Sequence, residues 1–209
     1  MSDTAPMQAV RQHPPERRRG PRLLLRGAGL LAVAIVSGLV WWLVRSDGGA
    51  PAADELTPPP DPLTSGEFTY TPVAGPERST DCASNSYGDV SDWFGEHPCE
   101  RVARALYSTE VGRARALVSV VVVTMPGQTE ARQLKVITDT DGTGNVNDLV
   151  RDESANLPGA PNVAEGEYAS RAQGRAVTIV EAAFFGDHSD DGLLRRISRD
   201  ALRLSAATR

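Results

Sequence analysis

The sequence predicts an α+β fold: a single N-terminal transmembrane helix, a Pro-rich stalk, then a small, mainly antiparallel sheet of three or four strands with helices packed on one face. Three observations predict it. Gly27–Val44 is a run of eighteen residues without a charge, the length at which an apolar helix crosses a bilayer. Ala116–Thr124, ALVSVVVVT, is a continuous β-branched run of the kind that fills a central strand. Apolar residues at helical spacing recur in Gly127–Thr138 and Ser189–Ala206, which predicts amphipathic helices that need a sheet to cover.

At about 1.5 Å per residue the charge-free run covers roughly 27 Å. Leu23–Leu25 extend it if Arg26 snorkels to the headgroups, so the span is placed over 23–44. Residues 1–26 carry six arginines against Asp3 and Glu16, a net +4, while residues 45–209 carry a net −9. Basic flanks resist translocation, so the N-terminus is expected in the cytoplasm and the C-terminal body outside the cell. Trp41 and Trp42 stand at the outer end, where indoles favour the interface. A cleavable secretory signal is the rival reading, with Ala50-Pro51-Ala52 as a small-residue site, but the apolar core is longer than such signals use. The acidic body excludes nucleic acid as a partner, because phosphate binding needs a basic surface.

Residues 1–22, with four prolines and no apolar periodicity, read as a disordered basic cytoplasmic tail. Residues 45–66, with Gly48-Gly49, Pro51, Pro58-Pro59-Pro60 and Pro62, read as a semi-rigid Pro/Gly-rich linker. Residues 67–209 form one extracytoplasmic domain, of a common size. Within it, Glu67–Thr71 alternates as an edge strand would, Val90–Phe94 is a short helical turn, and Pro98–Ser108 a second helix with Val102, Ala105 and Leu106 on one face. The strand Ala116–Thr124 follows. Pro126 then starts a helix over Gly127–Thr138 that buries Ala131, Leu134 and Ile137. Asp139–Glu165 is a loop of about twenty-five residues with a helical turn at Val146–Val150; a loop this long is functional or mobile. Glu167–Gln173 and Arg175–Phe185 flank Gly174 as a hairpin. Ser189–Ala206 ends the domain as a helix with an apolar stripe of Leu193, Leu194, Ile197, Ala201, Leu202 and Leu204.

The chain has two cysteines, Cys82 and Cys99. Outside the cell an even count predicts a structural disulfide. Closing the sixteen residues between them would stabilise the domain by roughly 3 kcal/mol. A redox-active pair would need closer spacing, and a metal site would need more ligands than His97 adds.

The stretch Asp139-Thr140-Asp141-Gly142-Thr143-Gly144-Asn145 has the letters of a calcium loop, with Gly144 at the sharp-turn position. Val150 stands where the closing bidentate carboxylate belongs, and a plain turn is the better reading. His188-Ser189-Asp190 spells a triad, yet adjacent residues do not converge. Ser189 is expected instead to cap the last helix, with Asp190 and Asp191 favoured by its dipole. Trp93 and Phe94 are expected to fill core rather than stack a ligand. The sequence has no nucleotide, zinc-protease or serine-hydrolase motif, and no cofactor or metal is expected. Ala34 and Gly38 form a small-xxx-small pair that would let two spans approach as a homodimer.

One lysine against twenty-one arginines, together with Asp81-Cys82, Trp93-Phe94, His97-Pro98-Cys99, Arg104-Ala105-Leu106-Tyr107 and Asp139–Gly144, resembles the single-pass membrane proteins of the actinobacterial envelope, of streptomycete type. The resemblance implies a location and brings no catalytic residues. The resulting expectation is a membrane-anchored extracytoplasmic domain that binds or senses another envelope component without catalysis. The alternative is a small cell-envelope hydrolase with a carboxylate-based site near loop 139–165. Two carboxylates facing each other in a cleft would favour the second; a closed surface with the loop splayed into solvent would disfavour it.

Overall fold

The β-branched run lies at the middle of a five-stranded antiparallel sheet. In the computed structural model, which describes Val36, Leu39 and residues 60–209, the strands are β1 (Thr71–Ser79), β2 (Arg101–Val111), β3 (Ala114–Thr124), β4 (Glu167–Gln173) and β5 (Ala176–Phe184). Their order is β1-β2-β3-β5-β4. The helices are α1 (Asp89–Glu96), α2 (Gln128–Thr138), α3 (Asp191–Ala201) and a terminal turn α4 (Ser205–Thr208). The expected tail at 1–22, the span at 23–44 and the linker up to residue 59 lie outside the described residues, apart from Val36 and Leu39, which are helical. Among the described residues no helix is long and apolar enough to cross a membrane.

Two expectations about the sheet are corrected. It has five strands rather than three or four, because Pro98–Ser108 is not a helix: Arg101–Val111 is β2, paired along its whole length with β3. Residues 102–107 are all buried, so the strand is covered on both faces. Such a run has no alternation to distinguish it from a helix, and Val102, Ala105 and Leu106 match helical spacing by coincidence. The turn was nonetheless written in the chain: Gly112, with φ +61°, and Arg113 close a two-residue hairpin between apolar runs.

Helices cover both faces, not one. Along each strand successive side chains point to opposite sides. Ala105, Tyr107, Val118, Val120, Val180 and Ala182 meet Leu194, Ile197 and Ala201 of α3 on one side. Val102, Val121, Val123, Val177 and Ile179 meet Val90 and Phe94 of α1 and Ala131 and Leu134 of α2 on the other. Farther along that second face, Leu106, Leu117 and Ala183 pack under Leu149 and Val163 of the long connection. Three layers result, with the sheet in the middle.

The other elements follow their local chemistry. The edge strand is Thr71–Ser79 rather than Glu67–Thr71; it holds Pro72 and Pro76 and has two register irregularities against β2, both suited to an edge. The chain before it is tied to α3. Asp200 accepts hydrogen bonds from the backbone N–H groups of Glu67 (3.0 Å) and Phe68 (3.2 Å) and lies 3.1 Å from the Tyr70 hydroxyl. Helix α2 starts just after Pro126, and the β4–β5 hairpin turns at Gly174, φ +60°, as the sequence suggests. The cap of α3 is Asp190, not Ser189: its Oδ1 accepts from the Leu193 N–H at 2.9 Å.

Candidate functional site

Topology places the site. Strand β4 is parallel in direction to β3 but lies beyond β5, so the chain from β3 to β4 must cross over β5. Helix α2 and residues 139–165 make that crossing. The segment is neither splayed nor bare: Val146, Leu149 and Val163 are buried. In place of the helical turn expected at Val146–Val150, Val146 forms a lone antiparallel bridge with Ser86.

Where the crossing segment passes β5 it leaves a polar cleft of about 370 Å³, lined among others by Tyr87, Asp139, Asp141, Asn145, Tyr168 and Glu181. Glu181 lies at its base on β5, directly paired with Tyr168 on β4 and Ser119 on β3. It is only 8 % exposed. Its Oε1 accepts a 2.7 Å hydrogen bond from Asn145 Nδ2. Burial pushes its carboxyl up to about 7; the Asn145 bond opposes this, the charge of Asp148 adds to it, and Arg151 opposes it.

Asp139, at the C-terminal end of α2, is the second carboxylate of the cleft. It accepts from Tyr168 Oη (3.0 Å) and Ser170 Oγ (2.5 Å) and pairs with Lys135 Nζ. Burial alone would raise its pKa, but these donors outweigh it and hold the carboxyl below the usual range. The Tyr168 phenol is pushed up, chiefly by burial. Tyr87 is raised for the same first reason, and the Arg151 guanidinium lies over its ring, 3.8 Å from the centroid.

Two glycines let the walls meet. A Cβ on Gly144 (φ +85°) would stand 2.1 Å from the Tyr87 carbonyl oxygen, and one on Gly88 (φ +64°) 2.7 Å from that of Thr143. Gly144 therefore serves backbone contact. The remaining letters of the calcium-like stretch diverge: Asp139 is taken by Lys135, Tyr168 and Ser170, Thr143 Oγ1 bonds the Ile137 carbonyl (2.7 Å), and Asn145 turns to Glu181. Among the described residues no three His, Cys, Asp or Glu side chains gather as a metal site requires.

Cys82 and Cys99 are joined in a disulfide, with Cα atoms 6.1 Å apart. The loop it closes carries Tyr87 and α1 and is bonded to the crossing segment: Tyr87 N–H donates to Asn145 O (2.9 Å), Val90 N–H to Thr143 O (3.2 Å) and Asn147 N–H to Asn85 O (2.8 Å). Phe94 is core, as expected. Trp93 is only half-buried and stacks on His97, ring centroids 4.5 Å apart. With Arg132, Val136 and Ile137 it lines an open apolar groove of about 520 Å³ between α1 and α2. His188 contacts the Phe184 ring edge-on and lies away from the cleft.

Sequence reasoning pointed to loop 139–165 but missed Glu181, Tyr87 and Tyr168. The signal for Glu181 was present: it is the lone charge in AVTIVEAAF, a nine-residue strand buried throughout. A carboxyl in such a run needs a partner or a purpose. No family model, no curated protein and no solved structure matches the chain.

Proposed function

We propose that this chain is a membrane-anchored, extracytoplasmic binding or sensing module, N-terminus in the cytoplasm, and that the cleft over β5 is its ligand site. The anchor rests on the apolar run over 23–44 and the charge asymmetry across it. The observation that carries the site is Glu181: a carboxyl nearly out of water, poised near neutrality, at the base of a concave polar pocket framed by two tyrosines. Concavity with a few convergent polar groups and a perturbed ionisable residue is the physical mark of a recognition site.

Binding is favoured over catalysis by the state of Asp139. Its carboxylate is held by Lys135, Tyr168 and Ser170, which leaves it poorly placed to activate water or attack a substrate. The second reading, a carboxylate-based envelope hydrolase, has one observation in its favour. Glu181 and Asp139 line the same cleft with pKa values displaced in opposite directions, the arrangement that separates an acid from a base.

The test is site-specific photo-crosslinking in intact cells, with a benzophenone side chain at Asp141 on the cleft rim or at Arg113 on the remote β2–β3 turn. Adduct from position 141 alone supports the reading; adduct from neither, or equally from both, overturns it. A C-terminal reporter active only in the cytoplasm would overturn the orientation. Release of small fragments from isolated envelopes, lost in Glu181→Gln, would favour the hydrolase.

A further inference from the structure

We propose that the cleft takes a small organic cation, an ammonium or guanidinium group on a short carbon chain, with Glu181 as its counter-charge. The inference rests on the binding reading above and names the ligand class.

Glu181 offers one free acceptor. Oε1 is occupied by Asn145, and no donor among the described residues reaches Oε2. Nor is Oε2 sealed in: the buried side-chain atoms without a partner among the described residues are Thr109 Oγ1 and Arg203 Nη1. A carboxyl that is more than nine-tenths buried therefore presents an unpartnered oxygen to the cleft. Such an oxygen calls for a donor, and its ionised form calls for a positive one.

The rest of the lining agrees. Among the described residues its charged side chains are Asp139, Asp141 and Glu181, and no lysine or arginine lines it. An anion would be repelled by the ionised carboxylates, and a neutral polyol would pair with the protonated form of Glu181 and gain nothing from its charge. Tyr87 and Tyr168 supply aromatic surface, which favours cations through the ring quadrupole. The protein makes that contact itself, with Arg151 over Tyr87. The volume, near the low end for ligand pockets, fits a chain of a few carbons. The net −9 of residues 45–209 would draw cations toward the domain.

Proton linkage gives the test its readout. Glu181 is faced by Asn145 and Asp148 from the crossing segment, by Arg151, by Tyr168 from β4 and by Tyr87. Asp139, held low, stays ionised and the two tyrosines, pushed up, stay neutral between pH 6 and 8. With Glu181 near 7, about a tenth of it is ionised at pH 6 and about nine-tenths at pH 8. A cation that pairs with the ionised form binds about tenfold more tightly at pH 8 and releases close to one proton at pH 6.

The experiment uses the full chain in neutral detergent micelles, with 1,4-diaminobutane and butylguanidinium as probes and 1,4-butanediol as the uncharged control. Side-chain amide signals of Asn145 and backbone signals of 139–145 are followed by NMR, and affinity by calorimetry. The expected result is saturable shifts with the cations, a tenfold gain from pH 6 to 8, and about a tenfold loss in Glu181→Gln. Asp141→Asn, at an exposed rim position, gives a second variant with a smaller expected loss. Equal binding of butanediol, or affinity flat with pH, overturns the cation assignment and leaves the cleft as a site for another ligand. If no probe moves these signals the assignment also falls; the crosslink at position 141 then decides separately whether the binding reading stands.

Discussion

The amide of Asn145 is bonded to the carboxyl of Glu181 at 2.7 Å, across 36 residues of chain. That bond fastens the crossing segment to the sheet at the one charged position of a buried strand. It ties the ionisation of that side chain to the placement of the crossing segment.

Glu181→Gln should stabilise the protein at alkaline pH. The folded pKa is near 7 against 4.5 for the free group, so between those values the folded state binds more protons than the unfolded one. Stability is then present in full below about pH 4.5 and declines as pH rises through 7, by up to roughly 3 kcal/mol. Glutamine can still accept from Asn145 and carries no charge. Urea unfolding at pH 8 should show a gain of about 1–3 kcal/mol over the parent, with the decline between pH 5 and 7 flattened; an unchanged profile would place the dependence elsewhere.

Gly144→Ala and Gly142→Ala separate contact from conformation. Both glycines have φ +85°, but only at Gly144 would a Cβ strike backbone, that of Tyr87. Gly142→Ala should cost about 1–2 kcal/mol for the left-handed conformation alone. Gly144→Ala should cost more and shift the Asn145 amide resonance. Equal losses in thermal unfolding would show that the walls of the cleft yield.

Cys82→Ser/Cys99→Ser should cost about 2–4 kcal/mol. The closed loop is bonded to residues 143–147, so hydrogen exchange should quicken at Tyr87, Val90 and Asn147 before it quickens in β3. Uniform loosening of the whole sheet would refute this order.

Asp152→Asn should destabilise the protein at neutral pH. Arg104, almost fully buried, pairs with Asp152, reaches the Asn147 carbonyl at 3.2 Å and lies 3.6 Å from Glu77. Burial alone would raise the Asp152 carboxyl, but the bonds from Arg104 and Ser154 hold it below the usual range. Its contribution is therefore present above about pH 4 and lost as pH falls through the folded value. A loss of about 1–3 kcal/mol at pH 7, shrinking toward pH 3, is the expected outcome in denaturant titrations; a loss independent of pH would point to packing instead.

Legibility followed pattern strength. The run Ala116–Thr124 announced a central strand because only a fully covered strand is β-branched on both faces. The hairpin around Gly174 and helix α2 after Pro126 were equally plain. β2 was not, because Ala and Leu suit either structure and its arginines, Arg101 and Arg104, look solvent-facing until Asp152 and Asn147 are brought to Arg104. The site was legible only as a place. Loop 139–165 stood out by length, while its partners are brought to it in two ways: Tyr168 and Glu181 by the pairing register of β4 and β5, and Tyr87 by the backbone bond of the disulfide loop to Asn145.

The exchange of β4 and β5 in the strand order divides the labour of the chain. Ladder hydrogen bonds hold the scaffold, and the bridging stretch that must climb over it shapes what is held. Lengthening or recomposing that stretch between Asp139 and Val163 would remodel the recess while leaving every interstrand register untouched, so that selectivity and architecture can diverge independently in descendants of this chain.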